Sequence, residues 1–402
     1  MRARRRGSRH VVLVIENVPF ARDHRARKQA TSLEHAGYRV TVITQADPAN
    51  HEHVTAMVRL IEYPPPPRVP GAFGYVVEYA WSAVAWLLLA FRLVITQPFG
   101  TLQTGQPPDI SPLLALPLRL FGVRHVIDQR DLSPELFAAR FGRTGGFTPA
   151  CLHLLERASW SAADRIICVN RSLLQAIVGR GRIDARKVVV VGNGPVLSKI
   201  ETARRRPLLR SGRRTVCWIG VMGAQDRLDL ALRAAADVRG RHARHDVRFV
   251  FIGDGECLEE TRTLASSLGL DGGVEFTGWL DEAGAFAYLA SADVGIDPNL
   301  QQEVSPVKAM EYLAFGVPLV AFDLPQTREV AGDAGVYVPP GDTRAFADAI
   351  VALLDDPDRC AGMRRRGLER VHTELSWDRQ EPHYLALFGP PPSAPGPGTI
   401  AR

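Results

Sequence analysis

The five cysteines, Cys151, Cys168, Cys217, Cys257 and Cys360, are scattered, odd in number and never spaced as C-x-x-C. This argues against a disulfide framework and against a zinc site, and for a reducing compartment. The eleven histidines form no H-E-x-x-H or comparable ligand spacing, and the lone D-x-D, Asp356-Pro-Asp358, follows an amphipathic stretch. It reads as a polar turn, so neither a metal nor another cofactor is expected. A dinucleotide fingerprint is missing too. Gly253-Asp-Gly255-Glu256 does not continue as G-x-G-x-x-G because position 258 is Leu, which disfavours a nicotinamide cofactor. No apolar run reaches the ~20 residues needed to span a bilayer. Residues 83–91, A-V-A-W-L-L-L-A-F, come nearest and continue past Arg92 into Leu93-Val-Ile95. They read either as a buried domain helix or as a helix that touches a membrane face. Met1-Arg-Ala-Arg-Arg-Arg6 followed by Val11-Val-Leu-Val-Ile15 imitates a signal peptide, but the apolar stretch is short and Glu16 ends it. It is read as a buried first strand behind a basic tail.

At 402 residues, 46% hydrophobic and 23% charged, the chain has the size and composition of two ordinary soluble domains. The formal charge of +6 is accompanied by arginine clusters at 2–6, 204–206 and 364–366. Such a balance favours anionic partners. No aromatic-and-glycine signature accompanies these clusters, so nucleic acid is not expected as a partner.

Short β-branched runs alternate with longer amphipathic stretches, the mark of parallel βαβ units. The first half predicts strands at 11–15, 40–44, 124–127, 165–169 and 187–191. The second half predicts them at 215–219, 247–252, 274–276, 293–296, 319–322 and 336–338. The fold class is therefore α/β, with two doubly wound Rossmann-like domains, 1–200 and 215–375. Between them lies a basic, turn-rich linker at 203–214; a helical segment at 376–389 and a proline-rich, disordered tail at 390–402 close the chain.

The most informative stretch is Glu303-Val-Ser-Pro-Val-Lys308-Ala-Met-Glu311-Tyr-Leu-Ala-Phe-Gly316. Ser305 as N-cap and Pro306 as first helical residue predict a helix over 306–315 that stops at Gly316. Glu303 then precedes the helix and Glu311 lies inside it, so the two carboxylates can reach opposite ends of one elongated ligand. A lysine at the third helical position opposes the positive end of the helix dipole unless an anion binds there. Free amides, the dipole and Lys308 together describe a phosphate site. The alternative is a plain amphipathic helix with Lys308 paired to Glu311. Gly220-Val-Met-Gly223-Ala-Gln225-Asp226 follows a strand and precedes a helix at 228–238, which suits close approach of a phosphate or simply a tight turn. Asp128-Gln-Arg130-Asp131 also follows a strand, and its mixed charges fit either hydroxyl recognition or a self-satisfied ion network.

Glu303 and Glu311 resemble the E-x7-E pair of retaining glycosyltransferases of family 4, which have the GT-B fold of two Rossmann-like domains facing a cleft. Asn17-Val-Pro-Phe20, Pro107-Pro-Asp109, Asp128–Glu135, Gly192-Asn-Gly-Pro195, Gly220–Asp226 and Phe251–Glu256 resemble segments of that family in the same order. The resemblance implies an acceptor side in the N-terminal domain and a donor side in the C-terminal one, with 376–389 returning to the first domain. On the donor side it implies diphosphate contact by Gly220, Gly223, Gln225 and Asp226, with Arg227 as a nearby cation and Lys308 as the stronger one. Gly253 would shape the nucleotide pocket, and Gly278, in Thr277-Gly-Trp279, would lie where backbone atoms recognise the base unless this is only a turn with a packed tryptophan. Glu311 would bind the ribose hydroxyls, Ser305 and Pro306 would open the phosphate-facing helix, and Glu303 and Lys308 would be catalytic. Asn17, His24, Arg25, Asp128, Arg130 and Asp131 are the acceptor-side candidates. The glycine-rich loop that many members carry after the first strand is replaced here.

The expected activity is transfer of a sugar from a nucleoside diphosphate sugar to a glycan or lipid-linked acceptor with retention of configuration. The expected setting is the cytoplasm, with peripheral contact to the anionic inner face of the plasma membrane. A nucleotide-sugar epimerase, a sugar phosphorylase and an inactive sugar-binding or scaffold member share the fold. No lysine-centred pyridoxal phosphate motif supports the phosphorylase.

Overall fold

The computed structural model describes residues 9–15, 18–67, 69, 72–141, 146–204, 212–301 and 306–389. The chain forms two compact units, one from Met1–Gly192 with Glu381–Arg402 and one from Asn193–Gln380. In the first, β1 (His10–Val14), β2 (Arg39–Gln45), β3 (Val58–Tyr63), β4 (Thr101–Gln106), β5 (Arg124–Gln129), β6 (Arg165–Cys168) and β7 (Val188–Val190) make one parallel sheet in the order β3-β2-β1-β4-β5-β6-β7. In the second, β8 (Arg214–Ile219), β9 (Val247–Ile252), β10 (Val274–Phe276), β11 (Val294–Asp297), β12 (Leu319–Phe322) and β13 (Gly335–Val338) are parallel in the order β10-β9-β8-β11-β12-β13. Both sheets reverse strand order beside their first strand. Such a switch point, at the carboxyl ends of the strands, is where doubly wound sheets hold ligands.

Two strands, β3 and β4, lack the β-branched runs that reveal the others. Thr101-Leu-Gln-Thr-Gly-Gln106 is polar yet mostly buried, because its side chains are bonded inside the unit. Gln103 Nε2 donates to Gln29 Oε1 at 2.9 Å, the Tyr384 hydroxyl donates to Gln103 Oε1 at 2.9 Å, and Thr104 pairs with His125 at 3.0 Å. The change of unit also differs from the expected linker at 203–214. It falls at Gly192–Asn193, because the helix Leu197–Arg204 buries Ile200 among Ala309, Met310 and Leu313 of the second unit. Residues 205–211 of that stretch, the basic tail 1–8 and the proline-rich tail 390–402 lie outside the described residues. The last helix, Trp377–Leu385, leads back into the first unit. There, Tyr38 donates to the Phe388 carbonyl at 3.0 Å and Arg124 to that of Leu387 at 3.1 Å.

The apolar run at 83–91 is the middle of a longer helix, Ala72–Thr96. Its stretch Val77–Thr96 has the length and composition of a membrane span, a correction to the shorter run expected from sequence. One face of that helix is nevertheless core. Trp86, Ala90, Leu93 and Val94 pack with Leu114, Leu118 and Val12 over the first sheet.

Under the helix Ser133–Phe141 the first unit buries a carboxylate cluster. Glu156 is fully buried; its Oε1 accepts from Ser133 N at 3.1 Å and its Oε2 from Arg180 at 2.7 Å, while Arg180 also reaches Glu135 at 2.5 Å. Ser133 Oγ donates to Asp109. Burial, with the Asp109 charge beside it, pushes Glu156 up to about 8 although Arg180 opposes the shift, and burial lifts Asp109 to about 6. A carboxyl whose folded pKa is raised favours the protonated fold, so stability is lost as pH rises toward that value. The buried His10 and His125, held near 4, act the other way, but only below their ordinary 6.5. We therefore expect the melting temperature to fall between pH 6.5 and about 8, and Glu156→Gln to flatten the fall. Calorimetric melting of both proteins across that window checks this, and parallel profiles would contradict it.

Candidate functional site

In the second unit the loops that leave β8 and β9 are locked backbone to backbone. Gly220 N donates to Ile252 O at 3.0 Å, Met222 N to Asp254 O at 2.9 Å, and Cys257 N to Met222 O at 3.0 Å. The approach is so close that a Cβ on Gly253, which sits at φ +128°, would lie 2.0 Å from the Gly220 carbonyl oxygen. Gly278 bridges antiparallel to Gly253, and the following Trp279 is exposed. These turns fix the floor of the switch point between β8 and β11.

Its wall is the helix Val307–Phe315. Pro306 is the N-cap rather than the first helical residue, because its ψ of 69° is not helical and its carbonyl accepts the first bond, from Met310 N at 3.3 Å. Among the described residues no side chain caps this end, and the helix stops as expected at Gly316, at φ 68°. The far side packs Ala309, Met310 and Leu313 into the core, which holds the helix rigidly. From its first turn Lys308 reaches Asp226 Oδ1 at 2.5 Å, with the ammonium 5.2 Å from the centroid of the Trp218 ring. Lys308 thus pairs with Asp226, and the charge of Glu311, its partner in the alternative reading of the sequence, also acts on it. Burial works against the lysine's charge, but Asp297, Asp226 and Glu311 outweigh it and raise its pKa. Asp297, buried at the end of β11, has its own pKa raised by burial while Lys308 pulls it down. An open recess adjoins them, lined by Asp297, Asn299, Gln301, Pro306, Lys308 and Thr327 among others.

Asp297 is a site residue that the sequence reading missed. Its only signal is an acidic residue ending the apolar strand Val294-Gly-Ile-Asp297. Tyr312 was missed as well: its hydroxyl donates to Ile296 O at 3.0 Å and accepts from Ile219 N at 3.2 Å, clamping β8 to β11 beneath the site. Arg227 is held in the left-handed region at φ 50° with its guanidinium on Asp229 in two 2.9 Å bonds. Its charge is already engaged. Gln225 folds back over Gly223, where a Cβ would lie 2.3 Å from its amide nitrogen. Glu303 and Ser305 lie outside the described residues, as does Asn17.

In the first unit the structure favours the ion-network alternative for Asp128. The carboxylate is fully buried and receives Arg25 Nε at 2.9 Å, Arg25 Nη2 at 2.8 Å and Gln29 Nε2 at 2.9 Å. Although burial opposes ionisation, Arg25 and Arg130 hold Asp128 at about 2. Arg25 spends its remaining donors on the carbonyls of Val191 and Gly192 at 3.0 and 3.2 Å. Asp128 and Arg25, both acceptor-side candidates, therefore brace β5 and the helix His24–His35. Arg130, partly exposed, bonds Asp23 at 2.7 Å; the neighbouring Asp131 is raised by burial, and His24 is exposed beside Arg27 at 2.7 Å. These three are better placed than Asp128 to meet a ligand.

Two family models match the chain in succession, a glycosyl transferase 4-like domain over residues 23–194 and glycosyl transferases group 1 over residues 213–356. A phosphatidyl-myo-inositol mannosyltransferase from Mycobacterium leprae is 41% identical over 111 residues, which are 27% of this chain and 29% of that protein. The aligned stretch thus spans less than a third of that relative's length. Among solved structures, a sucrose-phosphate synthase from Thermosynechococcus elongatus superposes with a TM-score of 0.76 at 17% identity, covering 94% of this chain and 98% of that one. HepE from Anabaena, solved with UDP and glucose, gives 0.71 at 15% identity over 94% and 98% of the two chains. These likenesses extend over both units and establish the GT-B fold.

The backbone contact at Gly253 gives a test of the site's construction. Gly253→Ala should cost about 2–4 kcal/mol, because a methyl group must push the loops apart and occupy a backbone region unsuited to alanine. Urea denaturation measures it, and a loss under about 0.5 kcal/mol, the range of ordinary surface substitutions, would show that the loops are not locked.

Proposed function

The chain belongs to the family 4-like glycosyltransferases, and on that premise we propose that it moves a sugar from a nucleoside diphosphate sugar to a glycan or lipid-linked acceptor with retention of configuration. The observation that carries this reading is Lys308, on the first turn of a helix at the switch point, paired there with Asp226. A helix start with free amides and a cation is an anion site. The diphosphate of the donor would take Lys308 from Asp226 and accept from the first-turn amides. Glu311, one turn on, would accept both ribose hydroxyls, and Glu303 would face the donor sugar, where a carboxylate steadies positive charge developing at the anomeric carbon. The bond from the anomeric carbon to the leaving phosphate oxygen breaks. The acceptor oxygen bonds on the same face, and the leaving oxygen takes the acceptor's proton. Lys308 and the helix dipole then balance the charge left on the diphosphate without a resident metal.

On the acceptor side the reading gives Arg130, Asp131 and His24 to hydroxyl contact, with Arg25 and Asp128 as positioning residues. The mannosyltransferase relative, named for phosphatidyl-myo-inositol, supports a lipid-linked acceptor, and the HepE complexes with UDP support a uridine or similar nucleotide. Thermal shift of the purified protein with a panel of nucleotide sugars, followed by product analysis with membrane extract, separates a transferase from an epimerase or an inactive binder.

Glu311→Ala should weaken nucleotide-sugar binding by about 1.5–3 kcal/mol, since a diol loses a charged acceptor. Calorimetric titration of the folded variant checks this, and unchanged affinity would remove Glu311 from the site. Glu303→Ala should lower kcat more than donor affinity, because its contact strengthens toward the transition state. Wild-type turnover in that variant would end its catalytic role.

A further inference from the structure

Three neighbouring helices of the first unit turn an apolar surface outward. Ala72–Thr96 and Ser111–Arg119 pack side by side, joined also by Phe91 against Phe121 at 6.0 Å between ring centroids, and Phe147–Ala162 lies against Ser111–Arg119. Opposite the faces that these helices bury, Val84, Leu88, Ile95, Leu113, Leu120 and Leu154 are each 59–71% exposed. Spacings of four and seven residues align Val84, Leu88 and Ile95 along the first helix, and seven residues separate Leu113 from Leu120 at the end of the second, so these form stripes rather than isolated side chains, with Leu154 exposed on the third. Exposed leucines are ordinary singly; a surface shared by three adjacent helices is an interaction surface.

We infer that this surface docks on an anionic lipid bilayer, lying on it rather than crossing it. Crossing would strip Trp86, Ala90, Leu93 and Val94 from the core of the unit. Charge decides between a bilayer and a second copy of the chain. Among the described residues of the three helices, the exposed and partly exposed charged or titrating side chains are basic, Arg92 and Arg157 with Arg119 and His153, while Glu156 is buried and Glu78 half-buried. A two-fold contact between copies would bring these arginines together with no exposed acid on the same face to pair them. Anionic headgroups supply the missing charge, while the leucines enter the acyl boundary. The inference stands apart from the donor-site reading, since none of its residues belongs to that site. It also relocates the apolar contact expected within 83–91. Leu87 and Leu89 pack against the core, whereas Val84 and Leu88 face outward.

The test is flotation of the full chain with vesicles of phosphatidylcholine containing phosphatidylglycerol, and with phosphatidylcholine alone, at low and high salt. The wild type should float with the anionic vesicles and be released by salt. Val84→Ser combined with Leu88→Ser and Leu113→Ser should lower partitioning about tenfold or more with an unchanged melting temperature, because the replaced side chains are exposed. Arg92→Glu with Arg157→Glu should remove the preference for anionic lipid. A wild type that does not float, or a triple variant that floats as well as the wild type, overturns the inference. So does sedimentation showing a dimer that Leu88→Ser dissociates, which would assign the surface to a second copy.

Discussion

A lysine ammonium among buried carboxylates organises the second unit. Lys308 ties the helix Val307–Phe315 to the turn after β8 through Asp226, and its charge is felt by Asp297 at the end of β11. Three separate segments thus meet at one charge, directly above the tyrosine that clamps β8 to β11. Breaking a buried pair of this kind typically costs about 3–5 kcal/mol, because the partner is left without a counter-ion. The arrangement therefore stays assembled without a ligand. It is also unbalanced in a useful sense: one cation faces more than one acid beside an open recess, so a phosphate that reaches it competes with Asp226 for a charge already in position. Little reorganisation is needed when the anion arrives.

The same doubly wound plan in the first unit ends differently at its switch point. There, Asp128 and Arg25 satisfy one another completely, and Gln29, Gln103 and Tyr384 extend the network across the sheet. A carboxylate with every acceptor direction used serves rigidity. The partly exposed charges at its margin, Arg130 above all, remain for contact with a ligand. One fold thus supports a structural ion network in one unit and a charged recess in the other, and the difference lies in which groups are saturated.

The fold was legible wherever burial required apolar β-branched residues. Eleven of the thirteen strands among the described residues announce themselves that way; β4 does not, because long-range hydrogen bonds let glutamine and threonine occupy the sheet interior. The helix at 307–315 was legible from Pro306 and Gly316, the two residues whose backbone restrictions are local, and the error of one position at its start is a matter of ψ at the proline. Lys308 was legible as a misplaced cation at a helix start. Its partner Asp226, 82 positions away, was named only as part of a glycine loop, and Asp297 was not named at all. Whether a carboxylate is a ligand or a brace, the question at Asp128, depends on what surrounds it in space, and spacing along the chain does not contain that information.

Lys308 is the point at which the account is most exposed. Titrating UDP and GDP calorimetrically into the wild type and into Lys308→Ala, with Asp128→Asn as a control outside the site, tests it directly. The account predicts saturable binding to the wild type of at least one of the two, weakened about tenfold or more, or 1.4 kcal/mol, by the loss of Lys308 and little changed by Asp128→Asn in folded protein. Equal affinity of the wild type and a folded Lys308→Ala for the same nucleotide would contradict it.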